Sequence, residues 1–240
     1  MPADLIIYGL IAAGLIFWLR SILGTRNGEE RDRANPYLRK EEENITSGDE
    51  STETKAINAE RLIEELSDNP KGNMSIASKN VEMGLVEIAR IDRGFNVYKF
   101  LQAAQDAFVY IVESFGDGDR DTLKELLSPA VYKAFDQSIT TREKAEETMV
   151  TEIHAIQKSD IIETRLEGKK AFITVRFYAE ETSVTKDKNG EILYGHPEKI
   201  TQMRDVWTFC RDLKSRDPRW LVTETREDGE GDNEIIPNTQ

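Results

Sequence analysis

The chain has 240 residues, 32% of them charged, and a net charge of −13. That balance excludes non-specific nucleic-acid binding, which depends on basic surface to displace counterions. Its single cysteine, Cys210, excludes an internal disulfide and a cysteine-rich zinc site, and the length allows one ordinary domain with additional segments.

Leu5 to Leu19 reads LIIYGLIAAGLIFWL, a run without a charge. As a helix it would span about 22 Å, against roughly 30 Å for a hydrocarbon core. If Arg20 snorkels and Ser21, Ile22 and Leu23 join, the length becomes about 28 Å. Asp4 precedes the run, and no small-x-small cleavage site follows it, so it does not read as a signal peptide. It is apolar on all sides, unlike an interfacial helix. The expected reading is an uncleaved membrane anchor over residues 1–23, built from Leu5, Ile6, Ile7, Leu10, Ile11, Leu15, Ile16, Phe17, Trp18, Leu19 and Arg20. Arg20, Arg26, Arg31, Arg33, Arg39 and Lys40 all lie downstream. The positive-inside rule therefore places the rest of the chain on the cytoplasmic side of an inner membrane, and the same cations suit anionic headgroups.

Residues 24–75 read as a disordered acidic linker, with EEEN at 41–44 and SGDESTE at 47–53. One island, AINAERLIEEL, places Ile57, Leu62, Ile63 and Leu66 on a short amphipathic stretch. It reads first as transient helix in a tether, second as a motif that folds on a partner. Asn69-Pro70 and Lys71-Gly72 close it.

A folded domain is expected over 76–226, with a disordered tail over 227–240. Val81, Leu85, Ile88 and Ile91 have helical spacing and predict a helix over 77–91. The stretch Phe95–Phe115 is the organising helix, with one apolar stripe through Val97, Phe100, Leu101, Ala104, Ala107, Phe108, Ile111, Val112 and Phe115. Gly116 reads as its stop. Next come GDGDRD (116–121), a short helix with Leu123, Leu126 and Leu127, and a helix opened by Ser128-Pro129. Val131, Tyr132, Phe135 and Ile139 form its apolar face, and 142–147 reads as its frayed end.

After Val150 the period changes to two. Ile153–Leu166 predicts a strand bent near Lys158. Ala171, Ile173, Val175, Phe177 and Ala179 predict a long strand with one core face, and Phe172, Arg176 and Tyr178 lie on its other face. Asn189-Gly190 is a hairpin signal. Asp205–Arg211 and Trp220–Thr223 supply two further strands, with Trp207 and Phe209 sharing one side and Asp205 and Arg211 expected to pair. The class is α+β: helices packed on a curved antiparallel sheet of about four strands. An apolar pocket is expected between the layers, lined by Phe100, Ala104, Phe108, Ile111, Tyr132, Phe135, Val175, Phe177, Trp207, Phe209 and Trp220. These residues read as core first and as pocket lining second.

Candidate chemistry is sparse. His154 and His196 are isolated, and both read as structural or solvated. Asp117, Asp119 and Asp121 begin like a calcium loop, but Thr122 stands where glycine is needed and Ser128 where glutamate is needed. They read as loop and cap residues. No catalytic residue, metal or cofactor is expected. Two buried carboxylates in a pocket, or a histidine paired with an aspartate, would favour catalysis instead.

Four segments together resemble a known family: FLQAAQDAFVYIVESFGDGD (100–119), LKELLSPAVYKAF (123–135), DVWTFCRD (205–212) and SRDPRWLVTET (215–225). The domain is similar to the Tim44-like family, named for a mitochondrial inner-membrane translocase subunit. The short anchor with its trailing arginines looks like the α-proteobacterial members. The resemblance implies a cone similar to nuclear transport factor two, with a large apolar pocket. It also implies a membrane-associated adaptor whose partners are anionic lipid such as cardiolipin, a chaperone of the heat-shock-seventy class, or a translocon component. The expected function is an inner-membrane-tethered adaptor in protein translocation or envelope quality control. The alternatives are a domain that binds or processes a small apolar ligand, and a ribosome or translocon tether.

Overall fold

The computed structural model describes residues 52–228, which lie within a compact unit, Glu43–Gln240. The expected anchor over 1–23, most of the expected linker and nearly all of the expected tail lie outside the described residues. Among these residues are five helices, α1 (Thr52–Asp68), α2 (Lys79–Ile91), α3 (Val97–Asp117), α4 (Arg120–Leu126) and α5 (Pro129–Lys144). Six strands accompany them: β1 (Met74–Ile76), β2 (Thr148–Glu167), β3 (Lys170–Lys186), β4 (Ile192–Gly195), β5 (Thr201–Asp212) and β6 (Leu221–Glu227).

The helix starts follow from local chemistry. Ser78, Asn96, Asp119 and Ser128 each sit at an N-cap and accept a backbone N–H from the first turn. Pro129 follows Ser128 at the first helical position, where its missing N–H costs nothing. Helix α3 runs past Gly116, contrary to the expected stop. Gly116 is buried within it, and Gly118 ends the helix at φ 74°. The expected frayed end of α5 is held instead: Arg142 donates to the carbonyls of Phe115 and Gly116 at 2.7 and 2.8 Å, covering exposed acceptors at the end of α3.

The sheet order is β1-β2-β3-β5-β6, with β4 pairing the far end of β3. All pairs are antiparallel except β1 with β2. The sheet is therefore mixed and larger than the expected antiparallel four. Strand β2 carries register shifts at 153/155, 156/158 and 161/163, which bend it around its partner, one of them next to Lys158 as its pattern predicts.

The other departure is at the start of the domain. Residues 52–75, expected as the end of the linker, form α1 and most of β1. Ile63 and Leu66 are fully buried, and Ala59 nearly so. The pairs Arg90–Glu60 (2.9 Å) and Lys79–Asp68 (3.5 Å) run α1 antiparallel to α2. Strand β1 is locked by side chains as well as by its ladder. Ser75 donates to Asp160, Asn73 donates to the Ile156 carbonyl, and Gln105 of α3 donates to Asn73.

Candidate functional site

Alternation along β3 puts Ala171, Ile173, Val175, Phe177, Ala179, Glu181, Ser183 and Thr185 on the side that meets the helices. Their β5 partners on that side include Phe209, Trp207, Asp205, Met203 and Thr201. Here lie most of the residues expected to line a pocket. Phe108 stacks on Phe177 at 4.6 Å and meets Trp207 at 4.8 Å. Phe100 meets Trp220 at 5.0 Å and Phe209 edge-on at 5.8 Å. Ala104, Ile111 and Val175 are buried among the same layers. Phe135 packs against Phe115 at 5.2 Å on the α5 side, and Tyr132 is only half-buried there. Ring contacts this close are those of a filled core, so these residues bind one another where an open apolar pocket was expected.

Further along the same side, polarity rises. Asp205 is 3% exposed, lies opposite Phe177 and accepts the indole N–H of Trp207 at 3.1 Å. Burial pushes its carboxyl up to about 7; the Trp207 N–H opposes this, and the charges of Glu181 and Glu227 add to it. Glu181, four pairs nearer the strand end, is also shifted upward by burial. The expected pair of Asp205 with Arg211 does not form. Arg211 instead reaches Asp92 at 2.9 Å and ties the α2–α3 turn to the sheet.

At the far end of β3 an open cleft of about 470 Å³ lies between that strand and the β4 arm. Ser183, Thr185, Tyr194, Gly195, His196, Lys199 and Thr201 line it. Gly195 makes it possible. It turns at φ 78°, and a Cβ there would stand 1.9 Å from the Ser183 carbonyl oxygen. His196 Nδ1 accepts the Glu198 N–H at 3.1 Å, so a neutral ring carries its proton on Nε2. Beside the cleft, Ile192, Leu193, Tyr194 and Ile200 are 43–71% exposed. The sequence reading missed this cleft, because the apolar alternation that marks the core face ends at Ala179 and the next buried residue of the strand, Val184, lies on the other side.

The remaining candidates fall elsewhere. His154 is on β2, contacts Thr182 at 2.6 Å and has the Glu152 carboxylate 4.0 Å away. Asp119 is the α4 cap, accepting from Asp121, Thr122 and the Thr122 hydroxyl, which hold its carboxyl below the usual range. On the sheet's other side, Phe172 lies under Arg165 at 4.4 Å, and Tyr178 lies between Lys158 and Arg204. Cys210 is half-buried, and burial raises its thiol.

The mitochondrial import inner membrane translocase subunit TIM44 of Rattus norvegicus is 30% identical over 135 residues, covering 56% of this chain and 30% of that protein. The Homo sapiens protein is 27% identical over the same shares. A probable subunit tin-44 of Caenorhabditis elegans is 22% identical over 157 residues, 64% of this chain and 37% of that protein. The matched region thus spans about a third of the length of these curated relatives. The intermembrane space region of the chloroplast protein ARC6 aligns with 52% of this chain and 94% of its own at 14% identity, with a TM-score of 0.37, a likeness too slight to bear on the fold. The family model of the Tim44-like domain matches residues 81–227, from α2 through the last strand and over more than half of the chain. The chain belongs to the Tim44-like domain family.

Proposed function

We propose that this protein is a membrane-tethered adaptor in protein translocation or envelope protein quality control. It holds a partner close to the bilayer and makes or breaks no bond; tethering raises the local concentration of what the domain binds. The family match over 81–227 carries this reading, because the matched relatives are named as subunits of an inner-membrane translocase. The apolar run 5–19 with its downstream arginines supports a single anchor and a cytoplasmic domain. Helices across one side of a bulged sheet support the finer fold assignment, a cone like that of nuclear transport factor two. The partner class is an anionic lipid, or a chaperone or translocon protein.

Crosslinking in native membranes tests this reading, comparing the full chain with one lacking residues 1–23. The full chain is expected to crosslink to a translocation component, and the shortened chain to lose that product. Equal products from both forms, or none, would contradict it.

A second reading, a domain that processes a small ligand, is favoured by one observation: Asp205 and Glu181 are neighbouring carboxylates on the helix-facing side, both shifted upward by burial. Against it, Asp205 already has a structural partner in Trp207. A ligand-induced rise in melting temperature that Glu181→Gln abolishes would support this second reading.

A further inference from the structure

Strand β6 ends beside an edge that it does not finish. Its ladder with β5 runs from Cys210 with Leu221 to Asp205 with Glu227. The Asp228 N–H adds one more bond, to the Arg204 carbonyl at 2.8 Å. Thr201, Gln202 and Met203 pair with β3 on one side and, among the described residues, with no strand on the other. An antiparallel ladder bonds every second residue, so the Gln202 N–H and carbonyl face the same open side as the Arg204 carbonyl. Strand β4 prolongs this edge. Strand β2 holds the other side of β3 as far as Lys186, so β4, which pairs Val184–Lys186, lies on the β5 side. Its Ile192, Leu193 and Tyr194 stand exposed, as does Ile200. An open strand edge with apolar side chains invites another strand.

The chain that leaves β6 is aimed along this edge. Strand β6 runs in the direction of β3, because each is antiparallel to β5. Arg204 puts Asp228 level with Tyr178. An unbroken extension would therefore put residue 235 level with Thr185 and Tyr194, and residue 236 level with Lys186 and Ile192. Ile235 and Ile236 stand at those two positions, in the segment GEGDNEIIP (229–237). Asp228 lies on the outer side of the sheet, where it pairs with Arg176 at 2.9 Å. Alternation would give Glu230, Asp232 and Glu234 that same side, which carries the cations of Arg204 and Lys186, and would give Ile235 the side of Tyr194. Glu180, the one acid of β3 on the outer side between Tyr178 and Lys186, is already bonded to Gln157. Pro237 has no N–H with which to carry the ladder further. Gly229 and Gly231 weaken such a strand, which keeps it displaceable. We propose that residues 229–236 continue β6 as a strap along the open edge of β5 and β4, covering the apolar side chains of the β4 arm and denying that edge to other strands.

Hydrogen exchange reads the strap at the Gln202 amide. The full chain, in detergent, is compared with the chain ending at Asp228 and with the full chain carrying both Ile235→Asp and Ile236→Asp. Gln202 is expected to exchange about tenfold more slowly in the unaltered chain than in either variant. The amide of Val175, fully buried in β3, is expected to exchange alike in all three. Equal Gln202 exchange in the full and shortened chains overturns the strap. Disulfide trapping gives a second reading that needs no truncation, in the full chain with Cys210→Ser. The pair Tyr194→Cys with Ile235→Cys is expected to close within one chain. The pair Val150→Cys with Ile235→Cys is expected to stay open, because Val150 is exposed on β2, across β3 from the β4 arm. Equal closure of the two pairs overturns the placement of the strap. A product that joins two chains and disappears on dilution also overturns it, and assigns the edge to a second copy of the chain. None of these readouts depends on membrane tethering, so their failure leaves the adaptor reading standing.

Discussion

Asp205 is the residue whose behaviour differs most from its type. Its carboxyl titrates at about 7 when folded, against about 3.9 for an unfolded chain. A raised acid binds protons more tightly in the native state. Its stabilising contribution is therefore fully present below about pH 4 and is lost as pH rises through about 7. Urea unfolding should show stability falling between about pH 4 and 7 by on the order of a few kcal/mol. Asp205→Asn keeps an acceptor for the Trp207 N–H and removes the charge, so it should flatten that slope and be more stable than wild type at pH 8. An undiminished slope would place the titration at Glu181, which shifts in the same direction. The sequence put Asp205 beside Trp207 in one strand but did not show its partner. An i,i+2 pair shares a face, so the indole N–H was within reach all along, whereas the Asp92 that holds Arg211 lies 119 residues away. Alternation gives the face of a side chain, not its long-range partner.

Among the elements, those with strong local chemistry were legible: the apolar stripe of α3, the Ser128-Pro129 cap of α5, the long alternation of β3 and the Asn189-Gly190 turn before β4. Gly118, rather than Gly116, ends α3, since a C-cap needs the left-handed backbone that Gly118 adopts. Gly118→Ala should therefore cost about 1 kcal/mol in chemical denaturation; an unchanged midpoint would show that the cap is not needed. Helix α1 and strand β1 were not legible, for a physical reason. AINAERLIEEL alone buries too little to be stable; its order comes from packing on α2, and β1 is three residues whose partners lie in β2, about 85 positions on. If α1 is integral, Leu66→Ala should destabilise by about 2–5 kcal/mol, as for a fully buried leucine. A loss under about 0.5 kcal/mol, typical of surface changes, would show that α1 is loosely held. Phe108→Ala, at the contact of α3 with Phe177 and Trp207, should cost about 3–5 kcal/mol and broaden near-ultraviolet aromatic signals.

At the scale of the whole molecule, the filled aromatic core changes where binding is to be sought. The expected pocket residues hold the helices to the sheet, and the accessible features among the described residues include the open cleft and the apolar β4 arm at the far end of β3. Among the described residues no helix is long and apolar enough to cross a membrane, so the proposed tether depends on residues 5–19. The most direct measurement is carbonate extraction of membranes carrying either the full chain or the chain lacking residues 1–23. A tethered adaptor remains in the pellet when intact and moves to the supernatant when shortened. Extraction of the intact chain into the supernatant would contradict membrane tethering, and retention of both forms would locate the anchor outside residues 1–23.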